Sequence, residues 1–179
     1  SHPQVYGGDE LRFMTNIVNE NFADKDNLIN FDKISNFSNI DYVSLGKKYI
    51  SLIKSLKSKK ARITDKLPIN FKWVGLIKLI LPNSKIIHCK RNPKDNCLSI
   101  FKNYFVNNQL NFAYDLPELV EFYKLYLNLM EHWKINIPNF IIDVEYEKLI
   151  SNPNSEIKNL IKKCNLKWNS KCLKYYNNP

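Results

Sequence analysis

Between Ile63 and Phe105 the chain reads as strand, helix, strand, helix, and each strand runs out into a cation. The run ARIT at 61–64 leads into Asp65-Lys66, and KIIHC at Lys85–Cys89 leads into Lys90-Arg91. Adjacent apolar residues within KIIHC suit a strand buried on both faces, as in a parallel sheet. A helix from Asn92 to about Phe105 follows at once, with Asn92 as cap and Pro93 at its first position. Another from Asn70 to Leu81 lies between the strands and is stopped by Pro82. The spacing predicts further helices over 9–20, from Asp41 with Asp41 as cap, over Pro117–Trp133 and over Pro153–Cys164, with a last turn or two at Ser170–Tyr176. A third strand is expected at Phe140–Val144, and 21–40 reads as polar loop. Strands alternating with helices predict an α/β fold, a parallel sheet flanked by helices with right-handed crossovers.

Ligands of such sheets bind beyond the carboxyl ends of the strands. The residues there are Asp65-Lys66, Lys90-Arg91 and Glu145-Tyr146. One edge of the sheet is thus expected to carry two cationic sites and a carboxylate, which favours an anionic ligand. Arg91 stands just before a helix start, where unpaired N–H groups and the dipole attract a phosphate. Ser99 lies two turns into that helix and could add a hydroxyl. A structural ion pair for Arg91 and simple packing for Ser99 are the bland alternatives. Lys66 could neutralise charge on a leaving group, or be one more loop lysine. Glu10, in Gly7-Gly8-Asp9-Glu10-Leu11-Arg12, could be a general base, or an acid drawn to a helix start by the dipole. His88, inside a buried strand, reads as a satisfied core histidine, and His132 as a dipole contact near a helix end.

The net charge of +10 is uneven. Residues 44–103 hold 15 basic and 2 acidic side chains, whereas 1–43 hold 3 and 7. A basic stretch can mean nucleic acid, but Lys47, Lys48, Lys54, Lys57, Lys59 and Lys60 read as a solvated lysine face. The three arginines, Arg12, Arg62 and Arg91, stand out in a chain that otherwise uses lysine. Cys89, Cys97, Cys164 and Cys172 form no CxxC pair and have no histidine cluster beside them, so no metal is expected. Four reduced thiols fit a cytoplasmic protein, although the spacing of Cys164 and Cys172 would permit a disulfide. No apolar run approaches the roughly 20 residues that span a bilayer. The glycines Gly7, Gly8, Gly46 and Gly75 make neither a GxxxxGK nor a GxGxxG phosphate loop.

Taken together, the blocks SHPQVYGGDELRF (1–13), ITDKLPINFKWVGLIKLILPNSKIIHCKRNPKDNCLSIF (63–101), FAYDL to LMEHW (112–133) and DVEYEKLISNP (143–153) resemble the sulfotransferase family. The likeness is to the bacterial branch often joined to tetratricopeptide repeats, with tyrosylprotein sulfotransferases as more distant relatives. It implies a P-loop-NTPase-like fold and a single domain over 1–179. It also implies transfer of a sulfuryl group from 3′-phosphoadenosine 5′-phosphosulfate (PAPS) to a hydroxyl or amine, leaving 3′,5′-adenosine bisphosphate (PAP), without a metal. By that resemblance Arg91 and Ser99 hold the 3′-phosphate and Tyr146 lies near the nucleotide. Lys66 stabilises charge on the transferring group, Glu10 is the base, and Arg12 stands at an acceptor-contacting position. The family carries a PRSGTT-like loop before SHPQ and a segment beyond Asn178-Pro179, so the chain reads as incomplete at both ends, and this fragment could be inactive. Asp9 replaces a residue that is often small in the bacterial branch.

The acceptor class implied is a small molecule, sugar or peptide, its pocket in loops such as 21–40 and 104–116. No membrane and no nucleic acid beyond the donor are implied, and the oligomeric state is left open. Two rival readings are a small-molecule kinase using ATP–magnesium, which requires a GK loop upstream, and a non-catalytic basic module that binds nucleic acid.

Overall fold

The computed structural model describes residues 2–26, 28–105 and 108–177. The chain divides into two compact units, one reaching to Ser84 and taking in the C-terminal stretch from Asn169, the other Lys85–Trp168. Each has its own pair of parallel strands with helices packed around it, in keeping with the expected α/β class.

In the first unit β1 (Val5–Gly7) pairs in parallel with β2 (Arg62–Thr64), Val5 opposite Arg62 and Gly7 opposite Thr64. No strand had been expected over Val5–Gly7. Three residues are too few for an alternation to register. Gly8 extends the ladder by donating its N–H to the Thr64 carbonyl at 2.9 Å. Asp9 then turns the chain with φ 58°, and α1 begins only at Phe13, ending at Phe22. The helix expected over 9–20 therefore starts four residues late, because the left-handed turn at Asp9 is spent on leaving the strand.

The buried face of α1 (Met14, Ile17, Val18 and Phe22) packs against α3 (Asn39–Ser55) through Leu45 and Tyr49. Helix α3 starts before the expected Asp41. Ser38 is its cap, its hydroxyl accepting the Asp41 N–H while the Asp41 carboxylate accepts the Ser38 N–H at 2.9 Å. That reciprocal box satisfies two terminal donors at once and outcompetes a single-residue cap. Part of the loop expected at 21–40 is a short helix, α2 (Phe31–Ser35), capped by Asn30. The helix expected over 70–81 is two pieces, a 3-10 stretch at Pro68–Trp73 and α4 (Val74–Ile80). Pro68 sets the first turn, and Trp73, at φ −111° and ψ 15°, breaks the run between them.

Helices α3 and α4 meet at Gly46. A Cβ there would stand 2.2 Å from the Ile80 carbonyl oxygen, a backbone atom that cannot swing aside. Alanine is the better helix former by about 1 kcal/mol, but forcing the helices apart costs about 1–3 kcal/mol. Gly46→Ala should therefore lower the midpoint of thermal unfolding; an unchanged or raised midpoint would mean that the crossing yields.

In the second unit β3 (Ile86–Lys90) pairs in parallel with β4 (Ile141–Glu145), with His88 opposite Asp143 and Lys90 opposite Glu145. Helix α5 (Pro93–Phe101) leaves β3 directly, capped by Asn92 as expected. The long helix α6 (Leu116–Asn136) is capped by Asp115 and returns the chain to β4. It buries Leu119 and Met130, and Ala113, Phe140 and Val144 are buried in the same unit. From β4 the chain passes straight into α7 (Tyr146–Ser151), too short to have been legible, then α8 (Pro153–Lys163). The described strands thus form two separate two-stranded ladders, where one sheet edge had been expected to collect all three exits. The loop 104–116, read as an acceptor wall, falls partly outside the described residues, at 106–107. From 108 it is 3-10 turns ending at Tyr114.

Candidate active site

Parallel pairing brings the carboxyl ends of partner strands together, so each ladder delivers two chain exits to one place. At the β1–β2 end these are Gly8-Asp9-Glu10 and Asp65-Lys66. The Lys66 N–H donates to the Asp9 carbonyl at 2.8 Å, tying the two exits backbone to backbone. The Lys66 ammonium then donates to Glu10 Oε1 at 2.5 Å, with Asp9 Oδ1 at 3.7 Å. The hydrogen bond that Lys66 donates to Glu10 is the main reason that the Lys66 pKa lies above its ordinary value. Helix α1 has no acid in its first turn. Glu10 is therefore held by an exposed ion pair with Lys66 rather than by the dipole of α1. Arg12 is exposed at the helix cap, its carbonyl accepting the Asn16 N–H.

Behind Lys66 the Tyr49 hydroxyl donates to Asp65 Oδ2 at 2.8 Å. Burial pushes the Asp65 carboxyl up, against the opposing pull of Tyr49, the Leu11 N–H and the Asn70 side chain. A carboxylate with a raised folded pKa costs stability once ionised, and regains it as pH falls through that pKa. Tyr49→Phe removes one hydrogen bond to the ionised form. The Asp65 titration, followed by its carboxyl carbon resonance, should move further upward, and the loss of stability should grow above it. A downward move would mean that Tyr49 acts only through packing. Nothing local in the sequence announces this anchor, since Tyr49 and Asp65 lie 16 residues apart.

At the β3–β4 end the exits are Lys90-Arg91 and Glu145-Tyr146. The Arg91 guanidinium carbon lies 5.4 Å from the centre of the Tyr146 ring, a cation–π contact between the two exits. Ser99 lies half-buried further along α5. The amides at the start of α5, expected to be open to an anion, are already engaged. Asn92 Oδ1 accepts the Lys94 N–H at 2.9 Å and the Asp95 N–H at 3.4 Å, Pro93 has none, and the Asn92 N–H donates to Glu147 Oε1 at 2.8 Å. That amide is the main reason that the Glu147 carboxyl titrates below its ordinary value, with help from the Arg91 charge. An anion at this end is therefore met by side chains, with the dipole as background.

Those side chains line a pocket of about 410 Å³ that includes Lys90, Arg91, Lys134, Tyr123 and Tyr126. Its wall also holds His88, satisfied as expected: Nδ1 lies 2.7 Å from Asp143 Oδ1, and Nε2 is bonded to the Tyr126 hydroxyl. Lys134 donates to Asp143 Oδ2 at 2.7 Å. Glu10, Arg12 and Lys66 thus belong to the first unit, and Arg91, Ser99 and Tyr146 to the second. Among the described residues no cluster of His, Cys, Asp or Glu could hold a metal ion, and no helix is long and apolar enough to cross a membrane.

The β1–β2 end thus sets a lysine against a carboxylate, and the β3–β4 end groups three cations around one pocket. Residues 1–170 match the sulfotransferase family, and the chain belongs to it. It is 34% identical over 183 residues to an uncharacterized protein of Aquifex aeolicus (strain VF5), a match that covers 98% of this chain and 24% of that protein. The chain thus spans about a quarter of the length of the curated relative it matches.

Proposed function

We propose that the chain transfers a sulfuryl group from PAPS to a hydroxyl or amine of a small molecule, sugar or peptide. The two units act in this reading as one sulfotransferase domain in the cytoplasm, where the four free cysteines stay reduced. The observation that carries the donor assignment is the grouping of Lys90, Arg91 and Lys134 around one pocket, a fit for a ligand with several anionic groups. Arg91 and Ser99 would hold the 3′-phosphate. Arg91 makes its cation–π contact with Tyr146, which lies near the nucleotide in this reading. The donor supplies the sulfuryl group, whose bond to the 5′-phosphate breaks as the bond to the acceptor forms.

The chain's own residues supply charge and a proton acceptor. Transfers of this kind pass through loose transition states helped mainly by positioning and electrostatics. Glu10 takes the acceptor's proton, and Lys66 neutralises charge building on the leaving phosphate. Their contact at 2.5 Å keeps the carboxylate and the ammonium poised at one strand end. Arg12 faces the acceptor.

The test is thermal unfolding with PAP, with AMP and ATP–magnesium as controls. PAP at 100 times its dissociation constant should add about 2.7 kcal/mol of stability, and AMP much less. Stabilisation by ATP–magnesium alone would reassign the chain to a kinase. Stabilisation by none of the three would remove the reading.

A further inference from the structure

The Asp143–His88–Tyr126 chain is a polar network that the proposed reaction leaves unused, and it lies in the wall of the cationic pocket. We propose that His88 is a positioning residue for that pocket, acting through Asp143 on Lys90 and Lys134. The inference rests on the reading that the pocket takes the phosphate end of the nucleotide.

The protons can be placed by elimination. An ionised carboxylate only accepts, so His88 Nδ1 carries the hydrogen of the 2.7 Å contact with Asp143. Burial lowers the His88 pKa, the ring is neutral, and Nε2 accepts the Tyr126 hydroxyl. Asp143 thereby fixes the tautomer, and the Tyr126 hydroxyl complements it. Asp143 is divided in its service: Oδ1 takes His88, while Oδ2 faces Lys134 at 2.7 Å and Lys90 at 3.9 Å.

Three cations around one pocket repel one another, and Asp143 holds two of them. It does so only while ionised and turned with Oδ2 toward the lysines. Half-burial works against its ionisation, but Lys134 and His88 outweigh that and hold its carboxyl below the ordinary range. His88 sits directly opposite Asp143 in the β3–β4 register, two residues before Lys90. Its bond sets the carboxylate plane, and the carboxylate sets the lysines. Lys90, at 3.9 Å beyond hydrogen-bond reach of Asp143, can close with Arg91 on an arriving phosphate.

Two substitutions separate the bonds. His88→Asn places an amide donor near the Nδ1 position, keeping the bond to Asp143 and losing Tyr126. His88→Gln reaches toward Tyr126 and abandons Asp143. PAP binding is measured by calorimetry on the full chain, with unfolding midpoints for every variant and Arg91→Ala as control. His88→Asn should bind PAP within about twofold of the parent, and His88→Gln about tenfold more weakly, the worth of one hydrogen bond to a charged group. Both should lose stability by similar amounts. Equal weakening in the two would mean that His88 only holds the fold together and would overturn the proposal. Unchanged affinity in both, with Arg91→Ala defective, would overturn it and leave the nucleotide reading standing. No binding by the parent chain would remove that reading and this inference with it.

Discussion

Glu10→Ala should lower turnover, read as release of PAP from PAPS in the presence of acceptor, by about 10²–10⁴-fold, the usual worth of a positioned general base. The dissociation constant for PAP should stay within about twofold, because Glu10 belongs to the β1–β2 end and not to the pocket at Arg91. Stability should hardly move. The Glu10–Lys66 pair is open to solvent, and exposed pairs contribute about 1 kcal/mol or less. One further readout is local. The Glu10 hydrogen bond is the largest cause of the raised Lys66 pKa, so in the variant the Lys66 amine should titrate lower, nearer its ordinary value. The sign for folding follows. A lysine with a raised folded pKa contributes below its unfolded pKa and loses that contribution as pH rises through the folded one. The small stability difference between parent and variant should therefore vanish in strong alkali. Glu10→Gln keeps a partner for Lys66 but cannot take a proton, so it should be as slow as alanine. Turnover near the parent value in either variant would sink the assignment of Glu10 as base, whatever happened to Lys66.

What could be read from the chain alone was whatever lies close in sequence. The β3–α5 junction needs only Asn92 and Pro93, and both act as read. Helix α6 has 21 residues, long enough for its period to register. The misses share a cause, which is that a partner distant in sequence or a short element decides the outcome. Strand β1 exists because Val5–Gly7 finds Arg62–Thr64, and no run of three residues announces that. The start of α1 moved because the chain must first leave that strand through Asp9. At α3 the signal was present and passed over: Ser38 and Asp41 are a capping box in plain sequence.

The site divides in the same way. That Lys66, Lys90 and Arg91 follow strands was legible. That Glu10 is salt-bridged to Lys66 across 56 residues, or that Tyr146 lies under Arg91, was not. Position alone left Glu10, Lys66 and Ser99 open between a functional and a bland role, and it was the likeness to sulfotransferases that favoured the functional one. The occupied amides at the start of α5 were hidden for a related reason. Glu147 reaches Asn92 only because β3 and β4 lie side by side, 55 residues apart in the chain.

Arg91→Ala should weaken PAP binding by about 10–100-fold, from loss of a charge-assisted contact worth about 1.5–3 kcal/mol. Most of that loss should persist in Arg91→Lys. The α5 amides that might have compensated are already bonded to Asn92 and Glu147, so the side chain must meet the phosphate largely unaided. A lysine keeps the charge but loses the planar fork and the stack on Tyr146. Raising salt separates charge from geometry: the parent and the lysine variant should weaken together, while alanine, with one charge fewer, should respond less steeply. The unfolding midpoint without ligand should stay close to the parent's, since Arg91 is exposed and its charge is not buried in the core. If Arg91→Ala bound PAP as well as the parent, the nucleotide would have to lie elsewhere, and the pocket of Lys90 and Lys134 would lose its claim to the 3′-phosphate.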